Sequence, residues 1–195
     1  MDLFDDRNAS PMLLIETSPF DSENHIFELK LDGIRSLAYI DKNLTELRNK
    51  RNKILNDVYP ELNKIHLSVK DKCILDGELI VLKDGRPDFF EVQKRSLMTD
   101  KFRIKLSSEN HPVVFLAYDI LYHKNKSLLD VSLLERKKIL KRIVKESKFI
   151  AISRYIEDLG IDFYNVIAEQ ELEGVVAKRK DSIYQMGKRS KHWVK

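Results

Sequence analysis

Apolar and polar positions alternate along residues 25–41, HIFELKLDGIRSLAYID, where Ile26, Leu29 and Leu31 are apolar and Glu28 and Lys30 polar. The run breaks at Asp32-Gly33, and IRSLAYI then resumes in extended style, so the pattern predicts strand, turn, strand. A glycine there suits a turn needing positive φ. CILDGELIVLKDGRPDF (73–89) repeats the style, with turns at Asp76-Gly77 and Asp84-Gly85. HPVVFLAYDILYH (111–123) is β-branched and aromatic and reads as a buried strand. EGVVAKRKDSIY (173–184) and KHWVK (191–195) are further strand candidates.

Helical spacing interleaves with these runs. SLLERKKILKRIVKES (132–147) opens on Ser132-x-x-Glu135, a capping-box pattern, and Leu133, Leu140, Ile143 and Val144 form a stripe. DFYNVIAEQE after Gly160 predicts a second helix, and DFFEVQKRS after Pro87 a short third. LTELRNKRNKILNDVYPEL (44–62) stays ambiguous, with helical local propensity. Strands and helices mix without regular βαβ alternation, so the expected class is α+β, antiparallel β-sheets flanked by helices. Residues 1–10 are expected to be a flexible lead-in and 11–195 one domain.

Composition narrows the functional classes. The chain has 195 residues, 43% hydrophobic and 34% charged, enough for one well-packed domain. Nothing approaches a membrane span, so no membrane partner is expected. The acidic start MDLFDDRNAS lacks a signal-peptide core. A lone Cys73 excludes an intrachain disulfide and fits a reducing, cytoplasmic setting. The five histidines show no zinc spacing. Net charge is +4, but residues 176–195 hold seven Lys/Arg against one acid, Asp181. That strip is either a solvated tail or a phosphate-contacting surface.

Lys30 is likewise either a solvated surface lysine or a nucleophile. Lys-x-Asp-Gly alone is a weak signal. The later motifs, in their order along the chain, are more specific: LDGEL around Glu78, AYDIL around Tyr118, EGVVAKR from Glu173 to Lys178, and GKRSKHWVK at the end. No Walker loop is present, since GKRS at 187–190 lacks the upstream glycine.

These ordered motifs, with PMLLIETSPF and LLERKKIL, resemble the nucleotidyltransferase domain of ATP-dependent DNA ligases, above all the ligase domain of bacterial end-joining repair ligases. The resemblance covers residues 11–195 and implies a covalent nucleotidyltransferase (ATP-grasp-like) adenylation fold. It implies that Lys30 attacks ATP to form lysyl-AMP, that AMP passes to a DNA 5′-phosphate, and that the 3′-hydroxyl then seals the nick. A lysine suits this role because it can lose its proton, as arginine cannot. Alternation sets Glu28 on the same strand face as Lys30. By resemblance Glu28 accepts from the adenine amino group, with a solvated glutamate as the alternative reading. Arg35 would reach phosphate or ribose. Glu78 would bind ribose hydroxyls or a metal, and Glu173 would hold Mg²⁺ (or Mn²⁺). Tyr118 and Val176 would cover the two faces of adenine, or else simply pack a core. Lys178 and Lys195 would neutralise the α-phosphate. The implied partner is nicked duplex DNA in repair, and a monomer is expected.

Two departures stand out. The family's Arg-Asn-Gly turn reads Arg51-Asn52-Lys53 here, which leaves its geometry and the nucleotide-contacting role of Arg51 open. The oligonucleotide-binding-fold (OB-fold) domain expected after the last motif is absent from a chain ending at Lys195. The rivals are an RNA ligase or mRNA-capping-type nucleotidyltransferase, separable by ATP against GTP labelling and DNA against RNA sealing, and a non-catalytic basic DNA-binding module.

Overall fold

The computed structural model describes residues 2–195. Its strands are β1 (Leu13–Ile15), β2 (Ser22–Leu29), β3 (Ile34–Asp41), β4 (Leu44–Asn49), β5 (Cys73–Lys83), β6 (Arg86–Pro87), β7 (Val113–His123), β8 (Lys126–Ser127), β9 (Ile150–Ile152), β10 (Tyr155–Asp158), β11 (Val175–Arg179) and β12 (Arg189–Val194). The helices are α1 (Phe89–Ser96), α2 (Lys101–Asn110), α3 (Leu133–Ile143) and α4 (Gly160–Glu169). A five-stranded sheet runs β1-β12-β11-β2-β10. A seven-stranded sheet runs β4-β3-β5-β7-β8, with β6 on β5 and β9 on β7. Most ladders are antiparallel as expected, but β1 on β12 and β9 on β7 are parallel. The sheets are therefore mixed.

Period-two patterning sorts the side chains into layers. Leu37 and Tyr39 of β3, Ile74 of β5 and Tyr118 of β7 meet Ile26 and Trp193 between the sheets. The opposite pleats, Ala38, Ile40, Leu75 and Leu79, turn to a second core with Val92 of α1 and Leu140 and Ile143 of α3. Phe27, Ala177 and Val194 face outward from the five-stranded sheet and pack with Phe20 and with Phe163 of α4.

Several expectations change. The predicted flexible lead-in is packed over residues 2–10; Met1 lies outside the described residues. Phe4 is 3% exposed and sits edge-on to Tyr39, and Arg7 pairs with Glu46 at 2.8 Å. An apolar residue amid acids gives little periodic signal, yet it caps the inter-sheet core. The ambiguous 44–62 stretch is a strand, a turn and a short 3₁₀ turn at Pro60–Leu62. Its Leu47 is fully buried in the sheet, so tertiary packing overrides the helical propensity. Ser132 does precede α3, but its side chain makes no cap hydrogen bond. Glu135 pairs with Lys138 instead, so no capping box forms. Helix α2 has no counterpart among the predicted elements. Asp100 caps it by accepting from the Arg103 amide, and Ile104 is its only buried residue.

Candidate active site

Three strand features build the site. First, β11 and β2 pair with Val176 opposite Glu28, and β10 sets Tyr155 opposite Glu28 on the other side. Antiparallel partners share a face, so Val176, Glu28 and Tyr155 lie in one row. Second, Gly33 and Gly77 let backbones close up. A Cβ on Gly33 would stand 2.4 Å from the Leu79 carbonyl oxygen and 2.8 Å from Glu78 Cγ. Gly33 does not take positive φ, contrary to expectation; the glycine supplies room for Glu78 instead. Third, β7 skips register between its pairs with Asp76 and Gly77, leaving Tyr118 as the extra residue between Ala117 and Asp119. Such a bulge re-aims a side chain, and Tyr118 comes to the wall of a cavity.

That cavity, of about 240 Å³, is lined by Glu28, Lys30, Arg35, Glu78, Tyr118, Glu173, Val176, Lys178 and Trp193, among others. Residues from 28 to 193 thus converge, and Glu78 and Glu173, far apart in sequence, share it. A second cavity, of about 340 Å³, meets it at Lys30 and Glu173 and adds Lys195, Phe20 and Tyr164. Arg51 stands outside both. It lines a neighbouring cavity with Gly33, Arg35 and Glu78. Its turn needs no glycine at Lys53, because Asn52 takes the left-handed conformation at φ 63° and donates to the Asn49 carbonyl at 2.8 Å.

Opposing influences act on the amine of Lys30. Burial lowers the pKa of Lys30, and the charge of Lys195 lowers it further, while Asp32 and Glu78 act the other way. Lys30 Nζ donates to Glu173, and the Lys30 amide bonds the Gly174 carbonyl at 2.8 Å, so motif and partner are tied at two points. Burial pushes the carboxyl of Glu78 up to about 7. Lys195 Nζ lies 3.2 Å from Glu16.

The two acceptor and donor residues assigned by resemblance are already engaged. Glu28 is 2% exposed, with Lys137 on Oε1 and Lys178 on Oε2 at 2.6 Å. Burial lowers Lys178 to about 8, while Glu28 acts to raise it. Its ammonium sits 4.4 Å from the Tyr118 ring centroid and 4.3 Å from that of Trp193. Arg35 differs from expectation as well. Its fork grips Asp76 bidentately at 2.7 and 2.6 Å and reaches the Met12 carbonyl, so these donors brace the site rather than point at a phosphate. Tyr184 donates to Asp76 at 2.5 Å, and the Arg35 guanidinium lies 4.8 Å from the Tyr118 ring. The network Asp76–Arg35–Tyr118 thus fixes the aromatic wall. Sequence reasoning missed Lys137, Asp76 and Tyr184. Only the motif positions of Asp76 in LDGEL and Lys137 in LLERKKIL hinted at them.

No group of three or more metal-binding side chains occurs among the described residues. Glu78 and Glu173, which line one cavity with Lys30, nevertheless fit a magnesium ion that takes most ligands from phosphate and water.

A fold of two sheets around a cavity, with a lysine just past the end of β2 beside carboxylates, is that of a DNA ligase nucleotidyltransferase domain. The chain belongs to the ATP-dependent DNA ligase domain family, whose model matches residues 11–195. It is 35% identical over 189 residues to the SPbeta prophage-derived DNA ligase-like protein LigB of Bacillus subtilis, covering 96% of this chain and 66% of that one. It is 29% identical over 197 residues to the multifunctional non-homologous end joining DNA repair protein LigD of Mycobacterium tuberculosis, covering 99% of this chain and 24% of that one. A mycobacterial DNA ligase D structure, complexed with ATP and MES, superposes with a TM-score of 0.81 at 27% identity, covering 96% of this chain and 60% of that one. The chain thus spans less than two thirds of each of these proteins. No helix among the described residues is long and apolar enough to cross a membrane.

Proposed function

We propose that this chain carries the adenylation half of DNA joining, with Lys30 as the nucleophile. The amine of Lys30 attacks the α-phosphorus of ATP. An N–P bond forms, the bond to the β-phosphate oxygen breaks, pyrophosphate leaves, and the amine proton passes to solvent. The lysyl-linked AMP then passes to the 5′-phosphate of a nicked duplex, where the 3′-hydroxyl displaces it. The observation that carries this reading is the single cavity joining Lys30, with its lowered pKa, to Glu28, Glu78, Tyr118, Glu173, Val176 and Lys178.

Each wall has a task. Tyr118 and Val176 supply apolar faces for the purine. Glu28 offers carboxylate lone pairs to the adenine amino group and repels a guanine carbonyl. Glu173 aims the amine of Lys30. Lys178 turns from Glu28 to the α-phosphate, and Lys195 adds positive charge beside Lys30. Magnesium held by Glu78, Glu173 and the nucleotide phosphates would offset the charge of the departing pyrophosphate. Arg51 and the exposed cations Arg179, Lys188, Arg189 and Lys191 serve phosphate contacts, which makes DNA binding fall with salt.

The test is transfer. Incubation with ATP and Mg²⁺ should load one AMP per chain, and the loaded protein should pass it to a nicked DNA carrying a 5′-phosphate. Lys30→Ala should do neither. Loading by Lys30→Ala, or labelling by GTP as strong as by ATP, would overturn the assignment.

A further inference from the structure

We infer that Lys137 is a positioning residue for nucleotide selection, pinning Glu28 Oε1 so that Glu28 stays on the adenine edge when Lys178 leaves it for the α-phosphate. This rests on the roles proposed above for Glu28 and Lys178.

Two lysines divide one buried carboxylate, and they differ in where they stand. Lys178 lines the cavity that holds Lys30. Lys137 comes from α3 and is not among the cavity's lining residues. It is 5% exposed, and its ammonium lies 5.6 Å from the ring of Tyr155, the β10 partner of Glu28. The cavity-side lysine can therefore be drawn off by a ligand, while the lysine from the helix stays.

Burial creates the physical need. Without Lys137, departure of Lys178 would strand a carboxylate in the interior with no cation, which is strongly unfavourable. Glu28 would then hold Lys178 back from the phosphate or swing toward water, and either movement loses the adenine contact. With Lys137 in place, Oε1 stays paired and Oε2 regains a free lone pair for the base amino group. A guanine sets a carbonyl oxygen at that place and gains nothing. Lys137 thus bears on the choice of ATP over GTP without touching either.

The experiment measures initial rates of AMP and GMP loading on the full chain, by intact mass, across nucleotide concentrations with Mg²⁺. Lys137→Met should raise KM for ATP about tenfold or more, the size of a lost hydrogen bond to a charged group, with a smaller loss at saturating ATP. The ATP-to-GTP preference should narrow by a similar factor, and Lys137→Arg should restore it. Glu28→Gln with Lys137→Met should be no worse in preference than Glu28→Gln alone. If Lys137→Met does not fold, Lys137→Gln takes its place. A Lys137 variant with wild-type KM and preference overturns the inference, whatever its stability, and so do additive losses in the double variant. Failure of the underlying reading shows separately, as a wild-type chain that loads no AMP or loads GMP equally well.

Discussion

Arg136 and Lys137 are neighbours on α3, both buried and both paired with a carboxylate, yet they build opposite kinds of region. Arg136 grips Asp119 with two bonds of 2.8 Å, and both side chains are fully buried. Its Nη1 donates to the carbonyls of Val131 and Ser182. That region is closed, because the guanidinium fork and its acceptors match. Lys137 shares Glu28 with Lys178, and Lys178 borders the cavity that holds Lys30. That region is open, because one cation can leave and the carboxylate still has a partner. Arginine serves where geometry is final, and lysine where a partner must be exchanged.

The contrast between closed and open sets a ranking of losses. Arg136→Met leaves Asp119 buried without a cation and should cost about 3–5 kcal/mol in urea unfolding. Its folded fraction should keep the wild-type preference for ATP over GTP. A loss under about 1 kcal/mol would mean that the closed region is not closed.

Tyr184→Phe ranks second. The hydroxyl donates to Asp76 and accepts from the Met12 amide at 2.8 Å. Its removal should cost about 1–3 kcal/mol. Lys178→Met should cost less than about 1 kcal/mol, because Lys137 remains on Glu28 and a methionine refills the space. Loading with AMP should nevertheless fall at least about tenfold, in keeping with loss of a phosphate contact. A stability loss matching that of Arg136→Met would make the open region as rigid as the closed one.

The remaining effect is a slope with pH rather than a single loss. Burial raises Glu78 from 4.5 to about 7. A raised folded-state pKa means that the folded chain holds a proton the unfolded chain has lost, so the contribution is full below 4.5 and fades as pH climbs to about 7. Glu78→Gln should flatten stability across that window. An unchanged slope would assign the window to another group.

Much of the site was legible because strand alternation and motif order act locally. Glu28 and Lys30 share a face by period two, and Val176 and Lys178 do so on the neighbouring strand. The pairing of these strands, and the arrival of Lys137 at Glu28 across 109 positions, come from tertiary packing that alternation does not encode. Tyr118 does line the cavity, but the bulge that aims it is invisible in a run of apolar residues. Arg35 reads as a phosphate fork because its partner Asp76 lies on another strand, 41 positions on. The packed start of the chain rests on a few scattered residues among acids, Leu3, Phe4 and Ala9, too little for a periodic signal.

The proposed reaction puts AMP on a single lysine, although Lys30, Lys178 and Lys195 all border the joined cavities. The most direct measurement is proteolytic peptide mapping of the chain after incubation with ATP and Mg²⁺, locating AMP by tandem mass spectrometry. AMP is expected on the peptide of Lys30 and on no other. AMP on Lys178 or Lys195, or on any residue of a Lys30→Arg chain, would contradict it.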